Sequence, residues 1–552
     1  MWSGNQPSLP PDLPPSFPPG FAPSNPPNTA PSFVPGLPPN PPPSLPNWPP
    51  PDPRHLATRH RPFRAAYVFA IVLPLLLIAL LAAPLGIALA LRPAGQTATG
   101  GSRTGPTDGQ PGVGDPYYPD AGSSGYDATK YQIAVDWDPV TETMTATTTI
   151  SARALQPLSS FYFDLALQTD QVSVNGKDAA FEKRGFADVR VVPAEPIPAD
   201  SDFDVVVHYS GAPGKITRGD VRAWWSSGKE WVVAGEPESA AWWFPSDDHP
   251  SDPALMDISV RVPTGLQVVS VGRLESKDTG QEAAFDTWHW VSRQPMATYL
   301  AFVAIGKYQL VEGVADQRPF VYAVSMQLSA ADRAKALGQL EKSVTTVRVL
   351  EQMFGPYPFS ELGGVVPANR FWFSGLETQT RPVYDPDSIL NDRYAPILIA
   401  HELTHMWFGD NVTLRHWNDI FDNEAYASWA QWGFTERTGG DRANVALNRT
   451  YERTKNDAAF WQITMIDPGR SQLFTTVYTR GPMALQALRN LIGDKAFFSL
   501  ARDWAQHPGS RSLEDWMTAA QTETTIDLGP FFQAWIFAPV APARTAENGF
   551  RD

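Results

Sequence analysis

The run His401-Glu402-Leu403-Thr404-His405 decides how the rest of this chain is read. Two histidines four positions apart lie on one helix face, so their rings can reach a single zinc ion. The glutamate between them is then placed as the general base of a metal-assisted hydrolysis. The residues ahead of it, Ala395-Pro-Ile-Leu-Ile-Ala400, favour a helix, with Pro396 in the first turn where its missing N–H is not needed. The helix is predicted over 395–409. A catalytic zinc takes a third protein ligand and keeps one position open. Glu424 follows His405 after 18 residues, inside a second helical stretch over 418–436, and a helix–loop–helix brings it beside the pair. His416, also near in sequence, is expected to be structural.

Composition narrows the alternatives. The chain of 552 residues has no Cys, which removes disulfide scaffolds, thiolate metal sites and thiol nucleophiles together. Any metal must therefore be held by His and carboxylates. With 58 Asp+Glu against 43 Lys+Arg, the net charge of −15 excludes the basic surface that nucleic acid requires. The length is that of about three or four domain-sized units.

The chain divides by composition. Residues 1–63 hold 23 of the 55 Pro and read as a disordered cytoplasmic tail, solvated as polyproline II. Such a tail is also a candidate ligand for a cytoplasmic proline-recognising partner. Residues 64–92 read as a transmembrane helix, with 65–91 uncharged and long enough to cross a bilayer. Arg54, Arg59, Arg61 and Arg64 precede the span, which places the N-terminus in the cytoplasm and the remainder outside a cell membrane crossed once. Residues 93–125, rich in Gly, Ser, Thr and Asp, read as a flexible linker. From Tyr126 the apolar positions alternate, as at Tyr131, Ile133, Val135 and Trp137, and 126–313 is expected to be an antiparallel β-domain. Strands are expected at 143–152, 203–209, 258–262 and 298–305. Residues 314–542 read as a mixed α+β catalytic domain, with helices at 330–353, 395–409, 418–436, 481–492 and 512–538, and 543–552 as a C-terminal tail. The fold class is thus multidomain α+β.

Several segments together resemble the gluzincin zinc aminopeptidases, the family of aminopeptidase N and leukotriene hydrolase. They are His401–Asp410 (HELTHMWFGD) with Asn423-Glu424, Trp242–Ser251 (WWFPSDDHPS), Met296–Leu300 (MATYL), Gly375–Gln379 (GLETQ) and Val477–Gly481 (VYTRG). The resemblance spans about 126–540 and implies a thermolysin-like catalytic domain behind the β-domain. It implies one Zn2+ per chain on His401, His405 and Glu424, with Glu402 and Tyr478 catalytic. It further implies that Glu377, Gly375 and Glu236 bind the substrate, the two glutamates holding the α-ammonium of a peptide with a free N-terminus. Leu376 and Thr378 depart from the family's G-x-M-E-N signature, and Gln431 stands where a glutamate usually supports a zinc ligand. The function implied is a membrane-anchored zinc aminopeptidase. The competing readings are a non-peptide substrate at the same zinc site, and a peptide-binding pseudoenzyme whose Pro-rich tail recruits a partner.

Overall fold

The computed structural model describes residues 105–551, apart from 219–221 and 280–283. The Pro-rich tail 1–63 and the membrane span read at 65–91 lie outside the described residues. Among the described residues no helix is long and apolar enough to cross a membrane.

The front half is built on an eight-stranded sheet whose centre is the strand Tyr126–Asp138. Its inward residues Tyr131, Ile133, Val135 and Trp137 are buried, as the alternation requires. Thr143–Ala154 pairs with it antiparallel, Tyr131 facing Ile150. On its other edge, Ala254–Pro263 runs parallel, Met256 facing Tyr131. The sheet is therefore mostly antiparallel, as expected, with this one parallel pair. Residues 298–305 also depart from the expected strand. Strand Phe285–Met296 ends in a single 3-10 turn at Thr298–Leu300, and pairing resumes at Val303–Gly306. The Thr298 hydroxyl donates to Asp248 Oδ1 at 2.7 Å, which turns the chain and carries Tyr299 inward.

The second half carries a five-stranded sheet in the order Tyr308–Ala315, Arg318–Ser325, Leu362–Val366, Val383–Tyr384, Gly375–Leu376. Its first strand crosses the boundary expected at 313/314, because it forms a hairpin with Arg318–Ser325. The single helix expected over 330–353 is two, Ala330–Leu340 and Ser343–Phe354, the second ending at Gly355 with φ 86°. Behind the sheet lie helices Ala395–His405 and Phe421–Arg437, joined by an aromatic lock in which Phe408 stacks on Tyr426 at 4.0 Å. Phe354 meets Phe408 edge-on at 5.0 Å from the neighbouring helix. Burying rings of this size contributes roughly 2–3 kcal/mol each, enough to fix the two helices against one another.

The linker reading differs from what is found. From Gly105 the presumed linker is packed rather than free: Asp115, Tyr117 and Tyr118 are buried, and Thr107–Asp108 pairs with Leu158–Asp164. The C-terminal tail is anchored by Phe550, whose ring lies 4.6 Å from Tyr451 and 5.8 Å from Trp535.

Candidate active site

Helix Ala395–His405 is buried along its last two turns, including His401, Glu402 and His405. Its i, i+4 spacing brings His401 Nε2 and His405 Nε2 to 3.3 Å of each other. Helix Phe421–Arg437, held by the Phe408–Tyr426 stack, delivers Glu424 Oε2 to 3.3 Å from His401 Nε2 and 3.5 Å from His405 Nε2. The nitrogens turned away from this centre face backbone carbonyls. His405 Nδ1 donates to Phe408 O at 3.0 Å, and the His401 ring meets the Ala427 carbonyl. Both Nε2 atoms are thereby left with their lone pairs pointing inward.

Three electron-pair donors that face one another at this distance repel unless a cation lies among them. Glu424 Oε2 has no hydrogen-bond partner. Burial opposes a charge on His405, yet Glu377 and Glu424 draw its proton affinity well above the usual imidazole range. Burial also opposes the charge on Glu424, yet the His405 and His401 rings hold its carboxyl down at about 2. Both effects express a demand for positive charge at one buried point. Two imidazoles and a carboxylate are a donor set that zinc accepts, with a fourth position open.

A second cluster adjoins the first. Ligand atoms of Glu377, Glu402 and His405 all lie within 4.8 Å of one another. Burial pushes the Glu402 carboxyl well above the usual range, against the pull of His405, which suits a group that must take up a proton and return it. Gly375 backs directly onto Glu402 from the edge strand. Glu377 comes directly after that strand, and the Tyr299 hydroxyl donates to its Oε1 at 3.1 Å. Glu236 is half-buried beside them. Burial raises its carboxyl well above the usual range and Glu377 adds to this, while its Oε1 has no hydrogen-bond partner. Tyr478, in the first turn of helix Val477–Gln506, donates its hydroxyl to Glu424 Oε1 at 3.0 Å, and its ring lies 6.1 Å from that of His401.

The eight residues singled out in the sequence thus gather around one buried centre. Two neighbours were not singled out. Tyr299 lay inside a stretch read as a strand, and only the 3-10 turn aims it at Glu377. Asp410 closes the HELTHMWFGD segment and is buried with no hydrogen-bond partner on either oxygen; burial raises its carboxyl well above the usual range. Its position in the motif was the available signal.

Comparison with known proteins adds an independent view. The sequence model of the peptidase M1 N-terminal domain matches residues 127–300, and that of the peptidase family M1 domain matches 338–535. Aminopeptidase N of Lactococcus lactis subsp. cremoris is 26% identical over 335 residues, covering 55% of this chain and 38% of that protein. The tricorn protease-interacting factor F2 of Thermoplasma volcanium is 23% identical over 321 residues, covering 53% and 39%. The chain therefore spans less than half the length of these relatives. Among solved structures, an M1 zinc metallopeptidase from Deinococcus radiodurans superposes with a TM-score of 0.71 at 24% identity, covering 78% of this chain and 98% of that one. A mutant of that metallopeptidase bound to a Tyr-Ser-Ala substrate gives 0.71 at 23% identity, with the same coverage.

Proposed function

Because this chain belongs to the M1 peptidase family, we propose that it is a zinc-dependent aminopeptidase that removes N-terminal residues from peptides. The observation that carries this reading is that a metal-ligand trio and a pair of carboxylates free to hold an amine share one buried site. His401, His405 and Glu424 would hold the metal, which when bound supplies a Lewis acid for the scissile carbonyl and lowers the pKa of water. Glu402 takes the water's proton and returns it to the departing amine nitrogen. Tyr478 offers its hydroxyl hydrogen to the oxygen on which negative charge develops. Glu377 and Glu236 hold the substrate's α-ammonium, and the Tyr299 hydrogen bond fixes which oxygen of Glu377 remains for it. A blocked N-terminus would bury both carboxylates without a counter-charge, at a cost of about 3 kcal/mol or more. That asymmetry selects chain ends over internal bonds.

The anchored state belongs to the same reading. Residues 65–91 contain no charged side chain and follow a group of four arginines, which supports a span with the catalytic body outside and the Pro-rich tail available to a cytoplasmic proline-recognising partner. The test uses the full chain in detergent. Metal content and hydrolysis of leucyl-, alanyl- and arginyl-amides are measured on one sample, with N-acetylated substrates and Glu402→Gln as blanks. Stoichiometric zinc with cleavage of free amino termini alone is the expected result. Zinc without any cleavage would overturn the peptidase reading, and release of the chain from membranes by high salt or carbonate would overturn the anchor.

A further inference from the structure

The segment ahead of residue 127 lies before the family's matched N-terminal domain, yet it is tied to both halves of the molecule beside the active site. Asp115 Oδ1 accepts hydrogen bonds from Tyr117 N at 2.7 Å and Tyr118 N at 2.8 Å. Its Oδ2 accepts from Trp417 N of the catalytic half at 2.7 Å and faces His249 Nε2 of the front half at 3.1 Å. Burial opposes the charge on Asp115, but the His249 ring and the three backbone N–H groups hold its carboxyl down at about 2. Tyr117 OH bonds Asp467 and accepts from Gly469 N at 2.7 Å. Gly122 N and Ser123 N donate to Asp164 at 2.9 Å and Asp247 at 2.7 Å in the front half.

From this strap a line of rings runs to the amine site. Tyr118 meets Trp417 edge-on at 6.0 Å between centroids, and Trp417 meets Tyr299 at 5.5 Å. The Tyr299 hydroxyl then donates to Glu377. Arg470 stacks over the Tyr118 ring at 4.4 Å and reaches within 4.0 Å of Glu238, two residues from Glu236. We propose that residues 115–118 are a positioning strap for the amine site, setting Trp417 and Tyr299 and, through them, the orientation of Glu377 toward the substrate's α-ammonium. The role is one of positioning, since the contacts that tie the strap in run to Trp417, His249 and Arg470. Its purpose rests on the aminopeptidase reading above. A brace with no such purpose would change only the melting temperature; a positioning element changes how well the amine is held.

The test compares wild-type full chain with Tyr118→Ala, Tyr118→Phe and Asp115→Asn. The readouts are KM and kcat on leucine 4-nitroanilide, Kd for L-leucine by calorimetry, and zinc content. Tyr118→Ala is expected to raise KM and Kd about tenfold while kcat stays within about twofold and zinc is retained. Tyr118→Phe, which keeps the ring, should restore both. Asp115→Asn carries the test if Tyr118→Ala does not fold, because its amide cannot accept on both sides and Trp417 loses its anchor. Unchanged KM and Kd in the folded variants would overturn the strap, whatever the melting temperature does. A wild type that binds leucine but hydrolyses nothing removes the peptidase reading and leaves the strap to be judged on Kd. A wild type that binds no leucine overturns both.

Discussion

Gly375 lies so close against Glu402 that a methyl group on it would sit 2.5 Å from Glu402 Cδ and 2.8 Å from Cγ. Real carbon contacts do not reach such distances, so the edge strand and Glu402, the proposed general base, constrain one another. Glu402 is buried and cannot swing into solvent. Gly375→Ala is therefore expected to displace the carboxylate and to lower kcat about 100-fold. Zinc content should stay at wild type, because Glu402 is not a ligand. Kinetics with metal analysis on the same sample decide the point; kcat within twofold of wild type would show that the strand yields instead.

The two amine-site carboxylates make a separable prediction. Glu377→Gln removes the charge proposed to pair with the substrate's ammonium but keeps a side chain of the same size. We expect kcat/KM on leucyl-amide to fall about 100-fold or more, the worth of a buried charge-assisted contact. Glu236→Gln should cost less, because Glu236 is half-buried where Glu377 is buried, and a charge pair nearer solvent is screened more. N-acetylated substrate, poor for wild type, should be discriminated against less strongly by both variants. Equal losses on free and acetylated substrates would show that these residues maintain the fold and do not read the amine.

The metal trio was legible because its geometry is local: an i, i+4 pair on one helix and a third ligand on the next. What escaped the sequence was decided at long range. Asp115 sits in a Gly-, Ser- and Asp-rich stretch that reads as linker, yet its partner Trp417 lies 302 residues along the chain. Nothing near Asp115 announces that contact, and composition reports only local entropy. The turn at Thr298–Leu300 was missed for the same reason. Its β-branched and aromatic residues suit a strand, and it is the Asp248 carboxylate, from a distant loop, that bends the chain there. The parallel pairing of Ala254–Pro263 with Tyr126–Asp138 likewise joins strands far apart in sequence.

Glu230 makes stability depend on pH away from the chemistry. It lies on the front-half strand Glu230–Val233, fully buried, and accepts from Ala368 N of the second half at 2.5 Å. Its second oxygen has no hydrogen-bond partner. Burial pushes its carboxyl up to about 7 from an ordinary 4.5. The unfolded chain releases this proton near pH 4.5 while the folded chain keeps it to about 7, so stability from this group is full below 4.5 and lost as pH rises through 7. Glu230→Gln keeps the acceptor and removes the charge. Relative to wild type it should gain up to about 3 kcal/mol between pH 5 and pH 8. Denaturant titrations at the two pH values measure this directly; parallel stability curves would exclude Glu230 as the source.

Arg480 shows how the helix bearing Tyr478 is held. Fully buried, it donates to four backbone carbonyls: Trp535 and Trp461 at 3.0 Å, Ile463 at 2.8 Å and Ala538 at 2.7 Å. Its guanidinium also lies over the Trp461 ring at 5.0 Å. Burial lowers its pKa to about 10, so it remains charged at neutral pH. The fork shape of the group is what lets one side chain serve carbonyls from two separate segments. Lysine has the charge but not the fork, so Arg480→Lys should fail nearly as badly as Arg480→Met. Either change strands buried carbonyls, and we expect a loss of about 3–5 kcal/mol. Because Tyr478 is two residues away in the same helical turn, kcat should fall more than KM rises, even well below the melting temperature. Thermal denaturation and steady-state kinetics separate the two effects. A variant that melts early but keeps its kcat would mean that Tyr478 is positioned by its bond to Glu424 alone.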